Sequence, residues 1–342
     1  GQRGAFKDLN TFLENDTEYN RETLLPNVLE AMEDSQGRLF ALTPTFSVWS
    51  AAVKTKFCDK ENWTMADMIA LYDNAPDSAS QVYEWTTRED MLNKLLQGQD
   101  WLVDMEQGKC YFETGAFEQM LEFCNRFTDK VVMTYNEPDT EGHQQYYTDA
   151  AYRLCQDKEL LEFTTTEVRE ANYLRYEIFG EDYTYVGYPS ENGKGGKIDP
   201  SIEIAITSTC SDKETAWEFV KQYLTYETER QHFGGIPIVE AAFTKEMDES
   251  MHLTGFQEGE IVEVPSITGK LGMEILPLTQ AERDEEEKYI RSCNTLYRVF
   301  DEAVMNIIRE ETDVYFAGDC TAAQAASKIQ SRAELIVSEQ SG

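Results

Sequence analysis

The sequence predicts an α/β protein of two lobes joined by crossing segments, and three observations predict it. The chain has 342 residues, enough for two domains. Short apolar runs of strand character alternate along it with capped, amphipathic helical stripes. Three stretches, Gly37–Ser50, Tyr183–Pro189 and Phe233–Ile238, share one texture: an apolar run, an aromatic residue and a proline break. The first, GRLFALTPTFSVWS, has two readings. It is an edge strand kinked at Pro44, which has no N–H for a ladder bond. Or it is a strand that leaves one lobe, crosses a hinge at Pro44 and enters the other, with Phe46 and Trp49 at the mouth of the cleft, where ligands commonly bind.

The elements follow in order. Leu25, Val28, Leu29 and Met32 recur at helical spacing, so residues 21–34 are predicted helical, ending at Asp34–Gly37. Thr64 with Asp67 opens a helix whose stripe is Met65, Met68, Ile69 and Tyr72. Val82–Trp85 reads as extended, and Thr86 with Glu89 as the capping box of a helix carrying Met91, Leu92, Leu95 and Leu96. Trp101–Phe112 is a turn between short extended pieces, and Phe117, Met120, Leu121 and Cys124 mark a helix. A polar loop at Asn136–Gly142 precedes a tyrosine-rich helix, His143–Cys155, with Tyr146, Tyr147 and Tyr152. Leu160–Thr164 is a strand, Thr164–Glu167 a capping box, and the helix it opens stops at Gly180. After Tyr183–Pro189, the run Ser190–Lys197 (SENGKGGK) lacks P-loop spacing and reads as a flexible surface loop. Ile202–Thr207 alternates as a half-buried strand. Ser211–Glu214 caps a helix with Ala216, Phe219, Val220 and Tyr223 on one face. The tail is helical: Thr279 with Glu282 opens one helix, Val304, Ile307 and Ile308 mark the next, which Gly318 ends, and Thr321–Gln324 caps the last, with Ala325, Ile329 and Ile336 inward.

Composition narrows the function. A hydrophobic content of 41% suits a globular chain, and no apolar run approaches the ~20 residues of a membrane span. The opening GQRGAFKDLN has neither an initiator methionine nor the apolar region of a signal peptide, so a processed or partial chain is expected. Thirty basic residues against 64 acidic ones give a net charge of −34. That charge excludes the basic footprint of a nucleic-acid binder and repels anionic membranes and polyanionic substrates. A neutral ligand is allowed and a cationic one favoured, although solubility accounts for most of the charge. The seven cysteines are odd in number and form no CxxC pair, which is neither a zinc site nor a disulfide framework. Cys124, on an apolar stripe, reads as a buried thiol, and an exported chain of this kind suits a reducing or anaerobic compartment.

Catalytic motifs are missing. His143, His232 and His252 have no metal-ligand spacing, and neither a GxSxG elbow nor a GxGxxG fingerprint occurs. No catalytic residue, metal or cofactor is predicted. Sixty-four carboxylates make any one acid/base pair uninformative. Glu84, beside Trp85, is singled out as a hydrogen-bonding partner for hydroxyls, and Trp85, just before a helix start, as a stacking platform or a core residue.

Four stretches together carry a resemblance. They are FKDLN with LLPNVLEAM; the segment GRLFALTPTFSVWS; FGEDYTYVGYPSENGKG with IAITSTCSDKETAWEFVKQYL; and YFAGDCTAAQAASKIQSRAELIVSEQ. In this order they resemble the extracellular solute-binding proteins of bacterial ABC sugar importers, the family 1, maltose-binding-protein-like group. The resemblance implies a type II periplasmic-binding-protein fold, two α/β lobes closing on a ligand, with crossings near Leu42–Ser47, Tyr185–Pro189 and Gly234–Pro237. It divides the chain into a first lobe of residues 1–43 and 190–233 and a second of 44–189 and 234–342. Members carry strands and a lipoprotein signal before the segment that starts here at Phe6, so the first lobe is expected to be incomplete. By position the family's ligand contacts fall on Phe46, Trp49, Glu84, Trp85, Thr86, Thr165, Tyr188 and Tyr297. Aromatic rings suit the C–H faces of a sugar, and Glu and Thr its hydroxyls. The function implied is capture of a mono- or oligosaccharide outside the cell and delivery to a membrane ABC permease, by a monomer anchored as a lipoprotein in its full-length form. The alternatives are a carbohydrate-active hydrolase using a carboxylate pair and a non-catalytic adaptor whose acidic surface binds a basic protein.

Overall fold

The structure is a computed structural model and describes residues 4–79, 82–105, 107–130, 150–166, 175–176, 178–191, 195–225, 234–253, 255–266, 269–298 and 300–341. The loop Asn136–Gly142, the first part of the expected helix from His143, Tyr146, Tyr147, Glu167, His232 and Phe233 lie outside the described residues.

Two short helices come first, α1 (Asn10–Leu13) and α2 (Pro26–Met32). Pro26 suits a first helical turn, where its missing N–H would have no partner, and Val28 and Leu29 turn inward as their spacing predicts. The strand β1 (Thr45–Lys54) follows. Pro44 stands just outside it, so its missing donor breaks no ladder bond, and its carbonyl accepts from the Ile238 amide at 3.0 Å. The helix α3 (Met65–Asp73) starts at the predicted Thr64–Asp67 capping box. The helix α4 (Arg88–Leu96) starts one residue later than expected, because Thr87, not Thr86, accepts from the Asp90 amide, at 3.0 Å. Val82–Glu84 before it is a 3-10 turn rather than an extended run. The hairpin β2 (Val103–Asp104) and β3 (Lys109–Cys110) precedes α5 (Gly115–Cys124), which buries Phe117, Met120, Leu121 and Cys124 as predicted.

After α6 (Ala150–Cys155), the strand β4 (Leu161–Thr166) runs through the threonines expected to form a helix cap. Pairing with β1 continues to Thr166 and holds them extended. Gly180 ends the helical residues before it at φ +67°, as expected of glycine there. The strands β5 (Tyr183–Tyr185) and β6 (Lys197–Pro200) follow. Ile202–Thr207 is not a strand; its pairing is reduced to isolated bridges, Ile204 with Leu42 and Thr207 with Phe6. The helix α7 (Lys213–Tyr223) is capped by Asp212 and buries Trp217 and Val220. Phe219, expected inward, is 59% exposed, because the ring that packs is Trp217, stacked on Phe12 of α1 at 5.4 Å. The remaining elements are β7 (Ile236–Pro237), α8 (Glu240–Glu249), the hairpin β8 (Glu260–Ser266) and β9 (Gly269–Ile275), α9 (Gln280–Ser292) from its predicted Thr279–Glu282 capping box, α10 (Glu302–Phe316) and α11 (Ala322–Ser341).

β1 is the centre of a five-stranded antiparallel sheet, which excludes the kinked-edge reading. Val48 pairs with both Thr166 and Ile198, and Ala52 with both Glu162 and Tyr185, so β4 lies on one edge and β5 and β6 on the other. β7 pairs with Thr45 and Phe46 at the start of β1. The three proline-bearing stretches therefore meet on one strand.

Two large apolar clusters flank this sheet. One joins α1, α2, α7, α8 and α9 around Leu13, Val28, Trp217, Phe243 and Ile290. The other joins α3, α4, α5, α10 and α11 around Met68, Leu95, Phe117, Ile308 and Ile329. Phe46, Val48 and Ala52 belong to the first cluster and Ala51 and Val53 to the second, so one strand is a wall of both. In packing, Ile236, Ile238, Phe243 and Met247, and Tyr289 through Leu296, group with α1 and α2 rather than with the tail helices α10 and α11.

Candidate ligand-binding site

Side chains alternate across a strand, so β1 presents Ser47, Trp49 and Ala51 on one face and Phe46, Val48 and Ala52 on the other. Register carries that face to the neighbours. Ser47 is paired with Asp199, Trp49 with both Lys197 and Thr165, and Ala51 with Phe163. One sheet face thus brings together Asp199, Lys197, Trp49, Thr165 and Phe163.

Two further rings close over it. Tyr297 stacks on Trp49 with centroids 5.0 Å apart and planes 21° apart. It is held there because residues 295–297 run along β6: the Ile198 amide donates to the Thr295 carbonyl (2.8 Å) and the Tyr297 amide to the Ile198 carbonyl (2.7 Å). Tyr188 stacks on Phe163 at 5.5 Å. Its position depends on two glycines. Gly187 has φ +74°, and the Tyr188 amide donates to the Gly195 carbonyl at 2.9 Å. A Cβ on Gly195 would lie 2.4 Å from the Tyr188 carbonyl oxygen, so only glycine fits. Ser190, Gly195, Gly196 and Lys197 are buried, which corrects the flexible surface loop expected there at its two ends; Glu191 is exposed and residues 192–194 lie outside the described residues.

The polar groups have fixed partners. The Trp49 indole donates to Asp199 Oδ2 at 3.0 Å. The Lys197 side chain is wholly buried, and its ammonium sits 2.9 Å from Asp100 Oδ1. The Gln99 amide donates to the Pro189 carbonyl at 2.6 Å while its oxygen accepts from the Trp101 indole at 2.9 Å, which fixes the turn carrying Asp100. Burial pushes the Tyr188 hydroxyl up, helped by Tyr297 beside it, and burial with the Asp199 charge does the same for Tyr297. Both phenols stay neutral and can donate or accept. Asp199 and Asp100 are each engaged by a donor and act as acceptors here.

Of the residues expected at the site, Trp49, Thr165, Tyr188 and Tyr297 come together. Phe46 does not. Three residues from Trp49, it points through the sheet and is fully buried in the first apolar cluster. Trp85 and Thr86 line a separate cavity of about 20 Å³ with Lys94 and Phe163. The Arg153 guanidinium lies 4.6 Å over the Trp85 ring and the Lys94 ammonium 5.2 Å over Phe163. Among the described residues, Trp85 meets the sheet face at this cavity through Phe163. Glu84 is exposed on the 3-10 turn and is not among the residues lining that cavity. Asp199, Lys197, Asp100 and Phe163 were not anticipated. The alternation in Lys197-Ile198-Asp199 signals a half-buried strand, but nothing in it indicates which strand it joins.

Among the described residues no three His, Cys, Asp or Glu side chains are grouped to hold a metal ion, and no helix is long and apolar enough to cross a membrane.

No protein-family model matches the chain, and no curated protein matches it. Solved structures do. The sugar-binding protein MalE of Xanthomonas citri superposes with a TM-score of 0.58 at 10% identity, over 98% of this chain and 80% of that one. A family 1 extracellular solute-binding protein of Alicyclobacillus acidocaldarius gives 0.55 at 14% identity, over 98% and 80%. An ABC substrate-binding protein of Listeria monocytogenes in complex with cycloalternan gives 0.51 at 12% identity, over 98% and 81%. With its three proline-bearing stretches gathered on one sheet between two apolar cores, this chain has the two-lobed α/β fold of the MalE-like extracellular solute-binding proteins.

Proposed function

We propose that this protein binds a carbohydrate outside the cell and hands it to an ABC importer. The observation that carries the proposal is the row of rings on one sheet face, Trp49 under Tyr297 and Phe163 under Tyr188, edged by Asp199, Lys197 and Thr165. Rings offer flat apolar surface to the C–H faces of a sugar, and the Asp199 carboxylate, the Tyr297 phenol and the Thr165 hydroxyl meet its hydroxyls. The similar MalE and cycloalternan-bound proteins support the same reading. The protein acts as a binder rather than an enzyme, and closure of the two lobes on the ligand is the transport-competent state. The contacts are Trp49, Thr165, Tyr188 and Tyr297, with Trp85 behind Phe163 at the end of the row. Export, a lipid anchor on the full-length protein and a monomeric state complete the proposal.

The test is a thermal-shift and calorimetric screen against mono- and oligosaccharides. A ligand at 100 times its dissociation constant adds about 2.7 kcal/mol to stability. Trp49→Ala removes a stacking platform and the indole donor and lowers affinity at least about tenfold, which is about 1.4 kcal/mol. A folded protein silent across the panel, or one whose sugar affinity survives Trp49→Ala unchanged, refutes the proposal. Sugar turnover abolished by Asp199→Asn would instead point to a hydrolase.

A further inference from the structure

The opposite side of the sheet carries a second cluster, away from the rings described above. Glu286 of α9 is 1% exposed. Its Oε1 accepts from the hydroxyls of Tyr183 and Tyr185, both at 2.9 Å. Its Oε2 is buried with no hydrogen-bond partner among the described residues, although a carboxylate oxygen carries two lone pairs. Against it lies a chamber of about 20 Å³, walled by Tyr176, Tyr183, Tyr185 and Tyr289, with the exposed carboxylates Glu61 and Glu285 also lining it. A single water-sized particle needs roughly 10–15 Å³.

Among the described residues, carboxylates outnumber cations around the chamber. Arg175, 6% exposed, faces Glu286; its terminal nitrogens go to the Thr164 hydroxyl, the Thr165 carbonyl at 2.8 Å and Glu162 at 3.4 Å, and its Nε is buried with no partner among the described residues. Lys288 is paired with Glu61 at 2.6 Å. Among the described residues two cations, Arg175 and Lys288, thus stand near four carboxylates: Glu61, Glu285 and Glu286 at the chamber, and Glu162 beside Arg175. Tyrosine rings attract cations through their faces, and one free carboxylate oxygen falls far short of the six to eight oxygens of a calcium site.

We propose that this chamber is a binding site for one monovalent cation of ammonium or potassium size, seated on Glu286 Oε2 and enclosed by the four tyrosines. The bound ion ties α9 to β5 and, through β5, to the central strand. It is independent of the carbohydrate reading.

The experiment compares melting of the whole chain in ammonium, potassium and choline chloride at one pH and ionic strength. Choline is too large for a chamber of one water. The expected result is a melting temperature that rises and saturates with ammonium or potassium and not with choline. Glu286→Gln keeps an oxygen for the two tyrosines but removes the charge, and the difference between salts disappears. Crystals soaked in thallium(I) show an anomalous peak at Glu286 Oε2, a readout that needs no variant and decides the matter if Glu286→Gln fails to fold. Identical melting in all three salts with no thallium peak overturns the proposal and leaves a water in the chamber. Melting that responds to pH alone, identically in the three salts, also overturns it and assigns a proton to Glu286, whose carboxyl burial raises against the pull of Arg175 and the two tyrosine hydroxyls.

Discussion

Gly195→Ala is the sharpest perturbation of the site that leaves every contacting side chain in place. The added Cβ falls 2.4 Å from the Tyr188 carbonyl oxygen, 3.0 Å from the Tyr188 nitrogen and 3.1 Å from the Gly187 Cα. Ordinary contact begins near 3.4 Å, so one backbone segment must retreat by about 1 Å. The clashing atoms are main chain and cannot rotate away. Overpacking of this kind costs about 1–3 kcal/mol. The retreat also breaks the 2.9 Å bond from the Tyr188 amide to the Gly195 carbonyl, and a buried amide left unmet adds about 1–3 kcal/mol. The expected loss is about 2–6 kcal/mol, read as a lower urea midpoint with tryptophan fluorescence as the probe. Gly115→Ala is the matched control. Nothing lies within 4 Å of its Cβ and it sits at the start of α5, so alanine there is expected to stabilise by about 0.5–1 kcal/mol. A Gly195→Ala midpoint indistinguishable from that of the parent would refute the close packing of Gly195 on Tyr188, and with it the account of how Tyr188 is placed.

Three other outcomes follow from the structure. Burial works to raise the Asp16 carboxyl, but the Tyr19 and Glu18 amides, the Trp217 indole and the Lys221 ammonium hold it well below the usual range. A carboxyl lowered on folding adds stability above its unfolded value and loses it as pH falls through the folded one, so acid titration of stability should be flatter in Asp16→Asn than in the parent below about pH 4. Burial pushes the Cys110 thiol up to about 11 and Cys293 up to about 12, and raises Cys124 further. Iodoacetamide at pH 8 should therefore label only Cys58, Cys155, Cys210 and Cys320 in the native protein and all seven in urea, as read by mass spectrometry. Thr279→Ala removes the capping box of α9 and should cost about 1 kcal/mol in the same urea assay, whereas a change under a few tenths would show that the box adds nothing.

Much of the fold is legible in local pattern. The helix starts at Thr64 and Thr279 and the apolar stripe of α5 were fixed by interactions within a few residues, which sequence spacing records. The failures have tertiary causes. β4 continues through its threonines because β1 pairs with them, and α7 turns Trp217 inward because Phe12 waits across the interface. At the site, Phe46 and Trp49 lie three positions apart on one strand, and an odd separation puts them on opposite faces, so parity alone rules out their sharing a cleft. Tyr188 and Tyr297 could be assigned only through the resemblance. Tyr188 is placed by Gly195 across a loop, and Tyr297 by residues 295–297 lying alongside β6, a contact between segments about a hundred residues apart in the chain.

The central position of β1 has a consequence for how the chain is made. Its ten residues leave the ribosome before all of their partners, residues 161–166, 183–185, 197–200 and 236–237. At about 5–20 residues per second, the more than one hundred residues separating β1 from β4 take roughly 5–20 s to synthesise. During that interval Phe46, Val48, Trp49 and Val53 form an apolar segment with both edges open, the kind of segment that chaperones hold and that aggregates when they do not. The nascent chain cannot complete the central sheet before β4 and the later strands emerge.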